Sequence, residues 1–134
     1  MRHVLDASAL LALLLRERGA DSVSGTLPTA CIGTVNLAEV ATVLARLGGS
    51  ADQVRRVLDH VGVMLAPLEG SLAIDAGLLQ PATKAVGASL GDRCALALAR
   101  LLDATLVTSD RALADVAPSV GVSAMLFRRG LVVE

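Results

Sequence analysis

Residues Val4–Leu14 read VLDASALLALL, a stretch whose only charge is Asp6. Its start is β-prone, and after the acid comes an uncharged run with helical character. A carboxylate buried without a partner is costly, so its place at the junction of two packed elements calls for an explanation. The junction reads as a strand, residues 2–5, that ends at an acid and turns into a helix, residues 7–17, apolar nearly all round and stopped near Gly19.

The same alternation runs along the chain. Residues 30–34 (ACIGT) read as a strand and 36–47 as a helix stopped by Gly48-Gly49. Ser50 is an N-cap candidate for a helix over 51–61, followed by a strand over 63–66 that Pro67 ends. A helix over 71–80 is closed by Pro81, and a strongly apolar helix spans 91–102. The chain then reads strand 104–108, helix 110–116 and strand 122–127. Strands alternating with helices predict an α/β fold with a parallel sheet covered on both faces. Helices that follow strands then start at the carboxyl edge of the sheet, where open α/β sheets bind ligands.

Four acids are expected at that edge. Asp6 follows the first strand, Glu39 (in TVNLAEV) lies in the first turn of helix 36–47, and Asp110 follows LVTS. Asp92 (in SLGDRCALALA) joins them if its helix also runs against the sheet, as its direct lead into strand 104–108 implies. Each acid has an ordinary alternative role as a helix cap or dipole partner. Asn36-Leu-Ala-Glu39 and Ser89-Leu-Gly-Asp92 both resemble capping boxes. Together, however, four carboxylates in one crevice repel one another and must protonate or hold a cation. An all-oxygen donor set suits Mg²⁺ or Mn²⁺ rather than zinc. Ser8 and Thr108, each two residues from an acid, are candidates to brace a carboxylate or a metal-bound water. His60 ends a helix and suits a dipole contact, whereas His3 has no visible partner.

The chain has 134 residues, enough for one domain, 1–134, with a core of its own. Hydrophobic residues make up 54% and Phe127 is the only aromatic, so Leu, Val and Ala must build the core. Either a partner subunit covers part of this surface, or the burial is that of an ordinary alanine-rich domain. The net charge of −1 excludes a global attraction to nucleic acid, so phosphate contacts would fall to local arginine pairs: Arg16 with Arg18, Arg55 with Arg56, Arg128 with Arg129. Cys31 and Cys94 lack metal-ligand spacing and suit buried thiols in a reducing compartment. The apolar run Ala9–Leu15 is too short to span a bilayer, and Arg16-Glu17-Arg18 follows it without a cleavage site, which points to a cytoplasmic protein with no membrane segment.

VLDASAL, NLAEV, LGDRCALALA and LVTSDRAL, in this order and spacing, resemble the PIN domain, and within it the VapC-type toxins of bacterial toxin–antitoxin pairs. The resemblance covers nearly the whole chain. It implies a three-layer α/β/α sandwich around a parallel sheet of about four to five strands. It also implies that Asp6, Glu39, Asp92 and Asp110 are the metal-binding acids of a ribonuclease site, Asp6 and Asp92 foremost, with Ser8 and Thr108 at the family's small hydroxyl positions. The implied partners are an RNA substrate, a DNA-binding VapB-like antitoxin and a second copy of the chain in a homodimer. The expected reaction is Mg²⁺- or Mn²⁺-dependent endonucleolytic cleavage leaving 5′-phosphate and 3′-hydroxyl ends.

Two rival enzymatic and switching readings fit poorly. An aspartyl-phosphate phosphotransferase needs a second carboxylate two residues after the nucleophile, where Ser8 stands. A receiver-like phospho-switch wants a lysine near the last strands, and Lys84 lies well before them. A non-catalytic PIN-like module that binds RNA or protein is the remaining alternative.

Overall fold

A computed structural model describes residues 1–128. Strands β1 (His3–Leu5), β2 (Ala30–Gly33), β3 (Met64–Ala66), β4 (Thr105–Thr108) and β5 (Ala124–Leu126) form one sheet in the order β3-β2-β1-β4-β5. Every neighbouring pair is parallel. The helices among the described residues are α1 (Ala7–Leu14), α2 (Ala20–Thr26), α3 (Thr34–Arg46), α4 (Ala51–Val61), α5 (Gly70–Leu78), α6 (Gln80–Thr83), α7 (Leu90–Leu102) and α8 (Arg111–Val116).

Side-chain alternation along the strands divides the core in two. Val4, Cys31 and Leu106 point to one face, where Leu72 and Ala76 of α5, Cys94–Ala99 of α7 and Leu113 of α8 cover them. Leu5, Ile32 and Val107 point to the other, against Ala9 and Leu10 of α1, Val23 of α2, Val40 of α3 and the ring of Phe127. The result is the α/β/α sandwich that the resemblance implies, with five parallel strands where about four to five were expected. The central strands are buried on both faces, which is why they read as continuous apolar runs. No helix among the described residues is long and apolar enough to cross a membrane.

Several boundaries differ from the sequence expectation, each for a local reason. The first helix ends at Leu14 rather than at residue 17. Arg16 takes a left-handed conformation (φ 54°), and the Glu17 amide closes back on the Ala12 carbonyl at 2.8 Å. Such a stop is usually marked by glycine; here the glycine, Gly19, comes three residues later. Gly19 (φ 90°) starts α2, a helix that the sequence does not announce because ADSVSGT is poor in helix formers. A Cβ at Gly19 would sit 2.6 Å from the Phe127 ring and 2.8 Å from its carbonyl oxygen, so the close approach of Phe127, just past the last strand, requires glycine there. Pro81 does not simply close a helix. It occupies the first turn of α6, where its missing N–H costs nothing. The helix expected over 36–47 is α3 and begins at Thr34, which moves Glu39 from the first turn into the second. Asn36 is therefore inside the helix, and the expected Asn36–Glu39 capping box does not form.

Other expectations hold. Ser50 caps α4 in a full capping box with Gln53. His60 lies in the last turn of α4. Cys31 and Cys94 are free and buried, and burial pushes both thiols up. His3, for which the sequence offered no partner, has its Nδ1 2.9 Å from Thr29 Oγ1. Arg128 pairs with Glu17 at 2.9 Å and lies 5.3 Å over the Phe127 ring; Arg129 lies outside the described residues. The strongly apolar α7 is buried over Cys94–Ala99 largely within the chain, because α5 and α3 pack on the sides that the sheet does not reach. Leu101 and Leu102 at its end remain exposed.

Candidate active site

The strand order reverses between β1 and β4: the chain proceeds from β1 to β2 on one side, then crosses to β4 on the other. In open α/β sheets such a switch point opens a crevice at the carboxyl edge. Asp6 stands at it. Its amide still makes the sheet bond to the Val107 carbonyl (3.1 Å), while its side chain already caps α1 through the Ala9 amide (3.0 Å). One residue thus ends the strand and starts the helix, which places the carboxylate where the strand leaves the core. Only 5% of Asp6 is exposed. Burial raises its pKa above the ordinary carboxyl value; bonds from Ser8, Thr108 and Ala9 oppose the rise, and the Asp92 charge adds to it.

Ser8 and Thr108 both form hydrogen bonds at this edge. The Ser8 hydroxyl donates to Asp6 Oδ1 (2.6 Å) and accepts from the Ser109 amide (3.0 Å), joining the ends of β1 and β4. The fully buried Thr108 accepts from the Asp110 amide at 3.0 Å. Asp110 in turn caps α8 through the Leu113 amide (3.1 Å). Across the crevice, α7 runs back toward β4 and presents its N-terminus to the same edge. There Asp92 and Ser89 form the predicted capping box, with the Ser89 amide donating to Asp92 Oδ2 at 2.9 Å.

Glu39 reaches this helix start from α3. It accepts a bond from Asn36 Nδ2 (2.9 Å), and the same amide donates to the Gly91 carbonyl at 3.2 Å. The sequence reading gives neither Asn36 nor Gly91 a part in the site. An asparagine three residues before a candidate acid is the available signal, and its likeness to a capping box hides it.

All four acids lie on the rim predicted for them, but the side chains do not close into one cluster. Among the described residues no three His, Cys, Asp or Glu side chains gather closely enough to hold a metal ion. Asp6, Asp92 and Asp110 each give a carboxylate oxygen to a helix start, and Glu39 gives one to Asn36. By donor chemistry the set fits a hard divalent cation, being all carboxylate with no imidazole or thiolate ligand.

The ionised form of Asp6 opposes folding. Its contribution to stability is full below the unfolded value of 3.8 and is lost as pH rises through the higher folded value. Asp6→Asn keeps a capping oxygen and removes the charge. The variant is therefore expected to melt higher than wild type at pH 7, with the difference disappearing below pH 3.8. A thermal melt series across that range checks this; a variant less stable than wild type at pH 7 would contradict the burial argument.

The family model described as PIN domain matches residues 3–118. Among solved structures, the chain is similar to VapBC-1 from nontypeable Haemophilus influenzae, with 18% identity over 95% of this chain and 98% of that one and a TM-score of 0.72. VapBC2 from Rickettsia felis, bound to a DNA fragment from its promoter, gives 18% identity, coverage of 93% and 98%, and a TM-score of 0.71. A toxin–antitoxin complex from Klebsiella pneumoniae gives 20% identity, coverage of 81% and 86%, and a TM-score of 0.66. At these identities the likeness is one of fold. No curated protein sequence matches the chain.

Proposed function

The chain belongs to the PIN-domain family, and from that premise we infer that it is a divalent-metal-dependent endoribonuclease, the toxin of a toxin–antitoxin pair acting in the cytoplasm. The observation that carries the reading is Asp6: a carboxylate held at 5% exposure at the switch point, with a second acid, Asp92, near enough to raise its pKa. A structural cap gains nothing from burial beside a like charge, whereas a cation ligand does.

Asp6 and Asp92 would hold Mg²⁺ or Mn²⁺, with Glu39 and Asp110 acting directly or through water. The bound metal supplies a water of lowered pKa and positive charge for the scissile phosphate. The chain's own residues orient and desolvate. Ser8 fixes Asp6 Oδ1 and ties it to the β4 end, Thr108 sets the turn that aims Asp110, and the apolar walls behind Asp6 keep the local dielectric low. With Phe127 buried as the only aromatic, base stacking is largely unavailable. Recognition then rests on the RNA backbone and shape, with arginine supplying positive charge. The antitoxin of the pair would be a VapB-like DNA-binding protein, as the descriptions of the similar complexes suggest. Residues 1–134 would act as one unit in a homodimer, for which light scattering should give twice the chain's 13.6 kDa.

The second reading, a non-catalytic module, draws on the capping duties of the same acids and on the lack of a cluster of three among the described residues. Product-end analysis separates the two. The nuclease reading expects fragments that a 5′-phosphate-requiring ligase joins without treatment. Fragments ending in 2′,3′-cyclic phosphate, or no fragments at all, would overturn it.

A further inference from the structure

We propose that Asn36 and Gly91 are positioning residues that hold the Glu39 carboxylate in one place beside the start of α7; the proposal rests on the nuclease reading for its consequence, not for its geometry. Asn36 is 1% exposed and its amide orientation is determined by its surroundings. Glu39 Oε1 and the Gly91 carbonyl are both acceptors, so the NH₂ group must face them. Its Oδ1 is left with no hydrogen-bond partner among the described residues. It lies on the Gly33 side, toward a cavity of about 10 Å³ lined with Leu68, Leu72, Cys94 and Leu98. A buried amide that leaves its own oxygen unsatisfied is expensive as a packing residue. What it secures is the pair of bonds on its other end: one holds Glu39 within α3, and the other ties α3 to the Gly91 carbonyl of α7.

Gly91 supplies the matching half. A Cβ there would stand 2.6 Å from the Glu39 carboxyl carbon and from Oε1. The carboxylate occupies the volume that any larger residue at 91 would fill. Glycine in the first turn of a helix costs helix propensity relative to alanine, so its presence is explained by what it admits. The amide pulls Glu39 toward Gly91, and the missing side chain lets it arrive, one residue from Asp92. A residue that acts only through another in this way typically moves metal affinity or activity by about ten- to a hundredfold.

The test is a pair of double-mutant cycles on the full chain. Without the Glu39 carboxylate, Gly91→Ala keeps only its gain in helix propensity. It should therefore raise the melting temperature in the Glu39→Ala background and raise it less, or lower it, in the wild type. Equal shifts in both backgrounds would overturn the proposal, whatever the activity. In RNA cleavage, Asn36→Leu and Gly91→Ala should each lower kcat by about tenfold or more and weaken Mn²⁺ binding, read by electron paramagnetic resonance, by a similar factor. KM for RNA should stay unchanged, and in the Glu39→Gln background neither substitution should cost anything further. Full additive losses there would make Asn36 and Gly91 merely structural and overturn the proposal. If Glu39→Gln itself cleaves RNA and binds Mn²⁺ like the wild type, the nuclease role of Glu39 fails, and the thermal cycle, run for Asn36→Leu as well as Gly91→Ala, decides by coupling to Glu39→Ala whether the two residues position it.

Discussion

Asp6→Asn and Asp92→Asn should each lose RNA cleavage by more than about a hundredfold while remaining folded. The bound on the effect comes from metal sites in general, where the partners behind the ligands already cost about 10–100-fold when removed, so a ligand should cost more. Folding should survive for a reason visible at each position. Asp6→Asn would still offer an oxygen to the Ala9 amide, and Asp92→Asn would still offer one to the Ser89 amide, so both helix starts keep their caps. Glu39→Gln and Asp110→Asn should also remove most of the activity, whereas Ser8→Ala, which loosens Asp6 without removing it, should cost less. Single-turnover cleavage of a structured RNA panel, with circular dichroism on the same samples, provides the measurement. Wild-type rates in both Asp6→Asn and Asp92→Asn would reduce the acids to caps.

The second large effect concerns the cation. Mn²⁺ or Mg²⁺ that binds the folded chain alone stabilises it by mass action, by about 2.7 kcal/mol at a hundred times the dissociation constant. For a chain of this size that is a rise of roughly 5–10 °C in melting temperature. In the combined Asp6→Asn/Asp92→Asn variant the starting stability should be as high or higher, and the metal-dependent rise should nearly vanish. A scanning melt with and without Mn²⁺ distinguishes the two proteins. Equal rises in both would mean that the cation acts elsewhere.

Much of the fold was legible because its signals are local and repeated. The apolar strands bounded by acids, Ser50 and Ser89 as caps, and the alternation of element types all act within a few residues and agree with the tertiary outcome. The misses were places where a distant contact overrode local preference. Arg16 ends α1 without a glycine, and α2 forms from weak helix formers because Gly19 and Val23 are held against the rest of the fold. The rim of the site could be read from topology, since strand ends and helix starts must share an edge. The detailed arrangement on it could not. Asn36 belongs to a helix that starts earlier than expected, and its partner Gly91 is 55 residues away. Nor does the order of motifs reveal that three of the four acids spend an oxygen on helix caps, because a cap and a ligand are the same residue type at the same position.

The central claim is that cleavage chemistry at this crevice depends on a divalent cation held by Asp6 and Asp92. It is tested most directly by incubating the purified wild-type chain with RNA in excess chelator, then restoring Mg²⁺ or Mn²⁺. Intact RNA is expected in chelator and endonucleolytic fragments once the metal returns, with no fragments from Asp6→Asn under either condition. Cleavage that persists in chelator, or that Asp6→Asn carries out equally well after metal is restored, would contradict it.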